Sequence, residues 1–395
     1  MKGHTIGLVP EFLMQPGEQS GIDVYSRAYL RGLSRAETDY QFIVFIAKDR
    51  ISHLPDFGAA FTLVPIHPMF TRSNILNILW YFFILPVLAF KHDIDVLHTF
   101  SGNRRISLFP FKKHVVTVHD VYHFSHKELY STFRYLYFKY VVVNILKLQR
   151  HIIAISHATA EDLHTLLGIK KEKIHVVENG CDLKRLRNVN PDAGTDRLKE
   201  HYGIEGTFML YVSTLDHPRK NHCRLVRAYA RLKERRPDLP ELIFVGKAFF
   251  EDHVILAEIR KLSMGKHIRL LGFVPDEDLA ALYSQAEIFI HPSLMEGFGM
   301  PLTEAMACGV PVACSDIKVF REVGGDAPQF FDPYDEDDLV DTIGELLENH
   351  ALQERCRVRG HERAKSFSWE EHTQSVLSLY RRLLEGNASQ RTYNT

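Results

Sequence analysis

The sequence predicts an α/β protein made of two Rossmann-like domains, with parallel sheets that face each other across a cleft. Three observations indicate this class. Short apolar runs, typical of buried parallel strands, alternate with helical patterns along the whole chain. Each half opens with a strand, a polar loop and a helix, as nucleotide-binding units do. Finally, 395 residues are too many for one hydrophobic core and suit two domains.

The domain boundaries follow from the polar stretch Leu183–Ala193, which is the predicted linker. The first domain is expected over residues 1–183 and the second over residues 184–366. Residues 367–395 are expected to form a C-terminal helix that crosses back to the first domain, followed by a polar, disordered tail from Gly386.

Composition and charge narrow the class of protein. Lys and Arg total 48 against 49 for Asp and Glu, a formal net charge of -1, so no overall basic field favours nucleic acid. The five cysteines form no Cys-x-x-Cys pair, and their odd number suits a reducing, cytoplasmic compartment. The first strand, Thr5–Val9, is too short for the core of a signal peptide.

The first domain offers two candidate site positions. Strand Thr5–Val9 is followed by a loop with Gly17 and Gly21 and then by a helical pattern, the opening of a nucleotide-binding unit. The apolar strand Val115–Val118 is followed directly by His119. A residue at the carboxyl end of a parallel strand would face the cleft, so His119 is a candidate. The alternative is that it is one of 22 histidines in an ordinary buried position.

The central stretch of the second domain, residues 291–312, is predicted to be a strand end, a tight loop, a short helix and the next strand. Gly297 and Gly299 give the loop conformations that are closed to other residues. Pro301 suits the first turn of the helix, and Gly309 suits the position after its end. A glycine loop that enters a helix N-terminus presents N–H groups and the positive end of the helix dipole, so it can seat a phosphate.

Two carboxylates bracket this seat. Glu296 opens the loop and Glu304 lies in the helix, with seven residues between them. Carboxylates accept hydrogen bonds, so they suit hydroxyl groups at two ends of one ligand. A ligand with hydroxyls at both ends and a diphosphate between them is a nucleotide sugar. The alternative is a plain strand–helix corner with two surface glutamates.

A basic loop follows the first strand of the second domain. Within Ser213–Asn221, Arg219 and Lys220 are expected to meet a diphosphate from the side opposite the glycine loop. Fixed cations there would stabilise negative charge on the diphosphate. Arg supplies a fork of donors and Lys a point charge. The alternative is a solvated basic turn.

The pattern Glu-x-Phe-Gly with its second glutamate resembles the signature of retaining GT-B glycosyltransferases of family 4, the glycosyl transferases group 1 type. The resemblance extends over roughly Thr5–Leu384. It implies an acceptor-binding first domain and a donor-binding second domain, with Glu296 on the donor sugar and Glu304 on the ribose. The further donor contacts that it implies are Val274 at the base and the loop residues Gly297, Phe298, Gly299, Met300, Pro301 and Leu302.

The same resemblance assigns the remaining candidates. Lys220 matches a family lysine, and Arg219 is the substitute for a family arginine, because Thr214 stands where many members have Arg. His119 matches a histidine beside the donor sugar. Gly21 matches a glycine of the active cleft, although the second glycine of the usual pair is absent here. That departure leaves a lone glycine turn as the alternative for Gly21.

The resemblance implies a retaining hexosyltransferase that moves a sugar from a nucleoside-diphosphate donor to a glycan or polyprenyl-linked acceptor in cell-surface polysaccharide or lipopolysaccharide synthesis. The Arg-Lys-Asn form of the basic loop is similar to a mannosyltransferase-like branch and favours GDP-mannose. No cofactor or metal is expected: Asp93 and Asp95 resemble a metal motif but precede a strand, and GT-B enzymes generally act without a catalytic metal. The alternatives are a non-catalytic sugar-nucleotide-binding subunit and a GT-B epimerase or phosphorylase.

Two segments of the first domain suggest a membrane surface. Ile75–Phe90 is strongly apolar but shorter than the roughly twenty residues of a spanning helix. It is either a buried crossover helix or a helix lying in the membrane plane. Lys127–Arg150 combines aromatic and basic residues, which suits either a membrane surface or a core helix with snorkelling cations. The expected location is cytoplasmic, with peripheral contact at the inner face of the membrane.

Overall fold

The computed structural model describes residues 3–10, 21–102, 107, 113–121, 135–183, 186, 191–247 and 252–385. Its contacts divide the chain into two compact units, of which the first comprises Met1–Gly180 with Trp369–Thr395 and the second Cys181–Ser368. Each unit contains one parallel sheet and the helices that connect its strands. The predicted polar tail from Gly386 lies outside the described residues.

The sheet of the first unit has seven described strands in the order β3-β2-β1-β4-β5-β6-β7. They are β1 (Thr5–Val9), β2 (Gln41–Ala47), β3 (Phe61–Ile66), β4 (Val96–Thr99), β5 (His114–Val118), β6 (His151–Ala154) and β7 (Ile174–Val176). Neighbouring strands are parallel; Ile6 lies opposite Phe42 on one side and Val96 on the other. The central strands are buried along almost their whole length, as both faces of such a sheet are covered.

Helices connect these strands. The described ones that precede the second unit are α1 (Gly21–Arg35), α2 (Pro68–Arg72), α3 (Asn74–Leu79), α4 (Leu85–Lys91), α5 (Val143–Leu148) and α6 (His157–Thr165). A π-helical turn, Trp80–Ile84, joins α3 to α4, and a second, Tyr137–Val142, precedes α5. Ser156 caps α6 by accepting a hydrogen bond from the Thr159 N–H at 3.0 Å, as its residue type favours.

The apolar segment Ile75–Phe90 lies within the crossover from β3 to β4, and its two faces differ. The inner face buries Trp80 and Leu85 with Phe45 of β2 in one apolar cluster. The outer face exposes apolar side chains with relative exposures of 42% to 85%: Ile75, Leu79, Phe83, Val87 and Phe90. The prediction of a buried crossover helix therefore holds for one face only. No helix in the described part of the chain combines the length and apolar content needed to cross a membrane.

The sheet of the second unit has six described strands in the order β10-β9-β8-β11-β12-β13. They are β8 (Phe208–Val212), β9 (Glu241–Val245), β10 (Ile268–Gly272), β11 (Ile288–His291), β12 (Val312–Ser315) and β13 (Gln329–Phe331). This is the doubly wound order, in which successive strands are added on one side of the first strand and then on the other, so that the strand order reverses between the parallel neighbours β8 and β11. Ligands of such sheets bind beyond the carboxyl ends of the strands at that switch point.

The helices of the second unit continue the alternation. They are α7 (Pro191–Tyr202), α8 (His222–Arg235), α9 (Asp252–Lys261), α10 (Asp276–Gln285), α11 (Met300–Ala307), α12 (Lys318–Gly324), α13 (Glu336–Glu348) and α14 (His350–Ala364). Helix α7 begins at Pro191, inside the stretch that was expected to be linker, since proline suits a first helical position. The core of this unit packs the buried face of α8, including Leu225 and Tyr229, with Leu242 of β9 and Leu339 of α13.

The C-terminal helix, α15 (Trp369–Glu385), belongs to the first unit. Its buried face packs on α1, and the hydroxyls of Tyr29 and Tyr380 lie 3.0 Å apart. The start of the helix lies against Gly180, where an added Cβ would stand 2.2 Å from the backbone nitrogen of Trp369. Only glycine allows that close approach.

Buried histidines connect this helix to the sheet. The imidazole of His98 lies 2.5 Å from the Tyr380 hydroxyl and 2.8 Å from the Thr117 hydroxyl. His372 of α15 donates from Nδ1 to the carbonyl of Glu178 at 2.8 Å. Because buried polar groups are costly unless paired, this network fixes how α15 lies on the first unit.

We expect the free energy of unfolding of the first unit to fall when the pH drops below about 6.5. Burial lowers the pKa of His98, His114 and His372, and it takes the last two to about 4. The unfolded chain binds these protons near pH 6.5 and the folded unit does not, so their contribution is full above that pH and is lost as the pH falls toward 4. Each histidine costs about 1.4 kcal/mol per pH unit in this window. Urea unfolding at pH 7.5, 6.5 and 5.5 measures this free energy of unfolding. Tryptophan fluorescence reports on the first unit because both tryptophans, Trp80 and Trp369, lie in it.

A matched pair of variants tests the origin of this pH dependence. His372→Asn keeps a donor for the Glu178 carbonyl and removes the titrating ring, so the slope below pH 6.5 should shrink by one proton. His157→Asn, at an exposed position of the same unit, should leave the slope unchanged. A wild-type unfolding free energy that is flat between pH 7.5 and 5.5 would contradict the argument.

Candidate functional site

The glycine loop of the second unit has the predicted glycine-specific backbone at Gly299, whereas Gly297 does not have a positive φ. It leaves β11 and enters α11, with Pro301 in the first turn of the helix. Gly299 precedes the helix at φ +91°, and a Cβ there would stand 2.7 Å from the ring of Phe320. Gly309 follows the helix at φ +74°. Glycine is therefore required at position 299 for two reasons, its left-handed backbone and the contact with the ring.

The basic loop lies directly beside the glycine loop. It follows β8, contains a cis peptide between His217 and Pro218, and ends at Asn221, which has a left-handed backbone at the start of α8. The N–H of Leu294 donates to the carbonyl of Arg219 at 2.9 Å and joins the two loops. Since β8 and β11 are the neighbours at which the sheet reverses its order, both loops occupy the position where such sheets bind ligands.

A buried ion pair unites the predicted site residues. The Nζ of Lys220 donates a short hydrogen bond to Oε1 of Glu296, and the two side chains are only 10% and 11% exposed. Arg219 is held beside them through Nε, which donates to the Asp216 carboxylate at 2.7 Å. The structure therefore brings Arg219, Lys220 and Glu296 together, although 76 positions separate the lysine from the glutamate.

Charge and burial set the protonation of the pair. Burial acts to raise the pKa of Glu296, but Lys220, His291 and Arg219 outweigh it, so the pKa of this carboxyl lies well below its usual range. Burial lowers the pKa of Lys220, and the Glu296 carboxylate opposes that shift. At neutral pH we therefore assign a carboxylate and an ammonium. Each compensates the burial of the other, which would be costly for either alone.

Two further side chains hold the pair in place. Nε2 of His291, the last residue of β11, lies 3.1 Å from the same oxygen of Glu296 that accepts from Lys220. The Tyr211 hydroxyl donates to the Lys220 carbonyl at 2.8 Å and lies 3.3 Å from the Ser293 hydroxyl. Burial raises the pKa of Tyr211, so the phenol remains protonated and donates.

The other predicted donor contacts of the second unit differ in burial and in their partners. Glu304 lies on α11, half-buried, and its Oε2 accepts from the Tyr283 hydroxyl at 3.0 Å. Phe298 is buried with its ring edge-on to Phe367 at 5.3 Å. Val274, after β10, is buried. Of the remaining loop residues, three are buried and two are half-buried: Gly297, Gly299 and Leu302, then Met300 and Pro301.

Two predicted site residues belong to the first unit. His119 follows β5, is buried, and donates from Nε2 to the carbonyl of Phe100 at 2.7 Å, with its ring edge-on to Tyr25 at 4.7 Å. Gly21 is the exposed first residue of α1, and the loop before it lies outside the described residues. Their roles toward a donor stay predictions. The carboxylate of Asp95 accepts a hydrogen bond from the Thr5 N–H at 2.9 Å.

Three residues of the site, His291, Tyr211 and Asp216, have no role predicted from the sequence. A signal for His291 was available, because it ends a buried strand just as His119 follows one. The rule that selected His119 therefore selects His291 as well. Tyr211 and Asp216 offer no such signal, since an aromatic residue in a core strand and an acid in a loop are both common.

Comparisons with known proteins place the chain among glycosyltransferases. The family model described as Glycosyl transferases group 1 matches residues 195–363, and the model described as Glycosyltransferase Family 4 matches residues 19–185. The chain is 33% identical over 270 residues to a protein of Escherichia coli named O-antigen chain mannosyltransferase B. That alignment covers 68% of this chain and 70% of the relative.

Another relative and one solved structure extend the comparison. The chain is 31% identical over 215 residues to the Campylobacter jejuni protein named N-acetylgalactosamine-N,N'-diacetylbacillosaminyl-diphospho-undecaprenol 4-alpha-N-acetylgalactosaminyltransferase, and spans 54% of its length. The crystal structure of Anabaena Alr3699/HepE in complex with UDP-glucose superposes with a TM-score of 0.72 at 19% identity. It covers 95% of this chain and 99% of that structure, a likeness of fold.

Proposed function

This chain belongs to the glycosyltransferases of group 1 and family 4, and from that membership we propose that it is a retaining hexosyltransferase that uses a nucleoside-diphosphate sugar. Its fold is GT-B, with two Rossmann-like units. The observation that supports the proposal most is the buried Lys220–Glu296 pair at the switch point of the second sheet. A cation and a carboxylate there match the two chemical needs of the donor, a seat for diphosphate and an acceptor for sugar hydroxyls.

The pair explains how the free site is prepared for a donor. Without ligand, Lys220 and Glu296 neutralise each other in a place where isolated charges are costly. An arriving diphosphate competes with Glu296 for the ammonium of Lys220, and the N-terminus of α11 and Arg219 add to its attraction. Glu296 then offers an acceptor oxygen to the hydroxyls of the sugar, while Glu304, on α11, suits the ribose.

We propose a front-face mechanism. The acceptor hydroxyl oxygen forms a bond to the anomeric carbon on the face from which the diphosphate leaves, and the bond from that carbon to the phosphate oxygen breaks. The acceptor proton passes to the departing phosphate oxygen. Arg219 and Lys220 stabilise the negative charge on the leaving group. We assign His119 to a hydrogen bond with the sugar or to stabilisation of positive character at the anomeric carbon. Retention predicts a product with the same anomeric configuration as the donor, which NMR of the purified product reads directly.

The proposed donor is GDP-mannose. The Arg-Lys-Asn form of the basic loop supports it, as does the similarity to a relative named as a mannosyltransferase. The HepE structure holds UDP-glucose on the same fold, so the base needs a direct test. If GDP-mannose is the donor, GDP binds more tightly than UDP or ADP, and we expect it to raise the melting temperature more. A ligand at about 100 times its Kd raises the free energy of unfolding by about 2.7 kcal/mol.

This thermal-shift screen has a matched control. Lys220→Met removes the cation and keeps a buried side chain of similar length, so the shift with GDP should vanish or shrink strongly. Lys365→Met, at an exposed position of the same unit, should retain the wild-type shift. A larger shift with UDP or ADP would reject GDP-mannose and keep the enzyme class, whereas no shift with any nucleoside diphosphate would count against the donor site itself.

The proposed acceptor is a glycan or a polyprenyl-linked glycan in cell-surface polysaccharide synthesis, reached by peripheral contact with the inner face of the membrane. The Campylobacter relative supports the acceptor class through the undecaprenol in its name. The exposed apolar face of residues 75–90 supports the membrane contact. The rival functions differ in their products: a transferase frees nucleoside diphosphate and lengthens the acceptor, an epimerase returns an altered sugar nucleotide, and a non-catalytic subunit binds donor without turnover.

A further inference from the structure

One oxygen of Glu296 accepts from two donors in the free protein. Lys220 supplies an ammonium proton from the basic loop, and His291 lies 3.1 Å away at the end of β11. The second contact differs from the first in its rigidity. Lysine is a long and flexible side chain, while His291 is wholly buried on a sheet strand, with its ring 4.5 Å from that of Phe320 and 5.7 Å from that of Tyr211.

The proton on this histidine can be assigned from its partners. A carboxylate only accepts, so the nitrogen facing Glu296, Nε2, must carry hydrogen. The other nitrogen, Nδ1, is buried and has no hydrogen-bond partner among the described residues, which suits an unprotonated nitrogen better than an N–H. Burial also lowers the pKa of His291, with Glu296 opposing the shift. The ring is thus neutral and donates to Glu296 through a single N–H.

Donor binding, under the function proposed above, separates the two contacts. A diphosphate draws the ammonium of Lys220 toward itself, so the hydrogen bond from Lys220 to Glu296 is lost. The carboxylate would then be free to swing about its side-chain bonds, unless another group held it. A displacement of about 1 Å in a group that positions substrate can cost about 100-fold in rate.

We propose that His291 is a positioning residue that holds the Glu296 carboxylate toward the donor sugar after Lys220 has turned to the diphosphate. It touches neither the sugar nor the phosphates in this scheme and acts through Glu296. One oxygen of the carboxylate stays fixed by the imidazole, and the other is directed at a sugar hydroxyl. Lys220 thus binds the diphosphate, and His291 orients the Glu296 carboxylate.

The test compares two substitutions at this position. His291→Phe keeps a planar ring in the aromatic surroundings and removes the N–H. His291→Gln places an amide N–H close to the former Nε2 and so restores a neutral donor. We expect the phenylalanine variant to lose roughly 10- to 100-fold in kcat for transfer, with the affinity for nucleoside diphosphate alone within about threefold of wild type. We expect the glutamine variant to recover most of the lost kcat.

Other outcomes separate this inference from the function on which it rests. Equal kcat in wild type and His291→Phe, or equal loss in the phenylalanine and glutamine variants, would overturn the positioning role and leave the transferase intact. A parallel loss of nucleoside diphosphate affinity would show that His291 acts on Lys220 or on the fold, which also overturns it. Absence of transfer and of nucleoside diphosphate binding in wild type would reject the proposed function. If His291→Phe fails to fold, His291→Leu removes the donor with a smaller side chain.

Discussion

Glu296→Gln should reduce kcat/KM for sugar transfer by about 1,000-fold or more while the protein keeps its fold. The amide oxygen of glutamine still accepts from Lys220 and His291, so the buried ammonium keeps a partner. What is lost is the negative charge that strengthens hydrogen bonds to the sugar and balances positive character at the anomeric carbon. Transfer assays with the donor chosen by the nucleotide screen measure kcat/KM. Urea unfolding measures whether the fold is kept.

A matched control and a contrary result complete the test. Glu345→Gln makes the same chemical change at an exposed position on α13 of the same unit, and it should leave both activity and stability unchanged. Turnover of the Glu296→Gln protein within about threefold of wild type would remove Glu296 from the reaction. The donor site would then need another carboxylate.

The alanine substitution at this position is a poorer test of catalysis. It would leave the Lys220 ammonium, 10% exposed, without its counter-charge. Breaking a buried pair by removing one partner typically costs about 3–5 kcal/mol. A lost activity in Glu296→Ala would therefore mix a missing catalytic group with a weakened fold, and only the isosteric amide separates the two effects.

The sequence predicted the backbone of the site well, because local chemistry dictates it. A glycine that must adopt φ +91° and a proline in the first helical turn can be placed without knowing what they contact. Each of these features depends on a few neighbouring residues, so the local sequence is sufficient to predict it.

Short edge strands were harder. The sequence pattern does not mark β3 and β13 as strands, because neither has the continuous apolar run of a central strand. β3 is partly exposed and carries Pro65, which is unfavourable inside a sheet, and β13 has only three residues, Gln329–Phe331. Their positions are set by pairing with β2 and β12, which is long-range information.

Long-range pairing also explains why the sequence does not predict the hydrogen bond between Lys220 and Glu296. Lys220 and Glu296 were each selected for a ligand, and the pattern carries no sign that they bind each other in its absence. That contact, like the one between His98 and Tyr380, joins residues far apart in the chain. Single-sequence reasoning finds groups suited to a chemistry, and the fold decides which of them share a hydrogen bond.

Replacing Val87 by glutamate should weaken binding to anionic lipid vesicles by roughly 30- to 150-fold. Val87 is 65% exposed on the outer face of residues 75–90, a segment without a charged residue. With Ile75, Leu79 and Phe83 it recurs every four positions, so these side chains share one side of the helix. An exposed apolar stripe of this length is more than the scattered apolar residues of an ordinary surface.

Charges around the stripe favour an anionic bilayer as the proposed partner, although Arg72 also pairs with Asp49 at 3.6 Å. Arg72 and Lys91 bracket the segment and are exposed. Phe82 packs both against the cluster beneath the stripe and against the one containing Phe138, so the helical segment 135–148 adjoins it. That second segment exposes Leu136, Tyr140 and Leu148 beside Lys139 and Lys147, and it holds no acidic residue. Of the predicted aromatic and basic segment, residues 127–134 lie outside the described residues.

The expected loss of vesicle binding by Val87→Glu is the sum of two free-energy contributions. Valine loses about 1–2 kcal/mol of apolar burial when it can no longer enter the interface. Its replacement adds a carboxylate that the anionic surface repels by about 1 kcal/mol. Together they amount to about 2–3 kcal/mol, or roughly 30- to 150-fold in the binding constant. Vesicle sedimentation with and without anionic lipid measures it, and the effect of Lys139→Gln with Lys147→Gln should appear only with anionic lipid and weaken with salt.

The chain offers a closely matched control at Val358, which is 56% exposed on α14 of the second unit. Val358→Glu makes the same change at a similar exposure and should leave vesicle binding unaltered. Turnover with a water-soluble acceptor should survive Val87→Glu, because the stripe supplies access to a lipid surface and no group to the reaction. Equal vesicle binding by wild type and Val87→Glu would refute the membrane contact. A dimer of the wild type that the Val87→Glu change dissociates, with vesicle binding absent in both, would assign the stripe to a second copy of the chain.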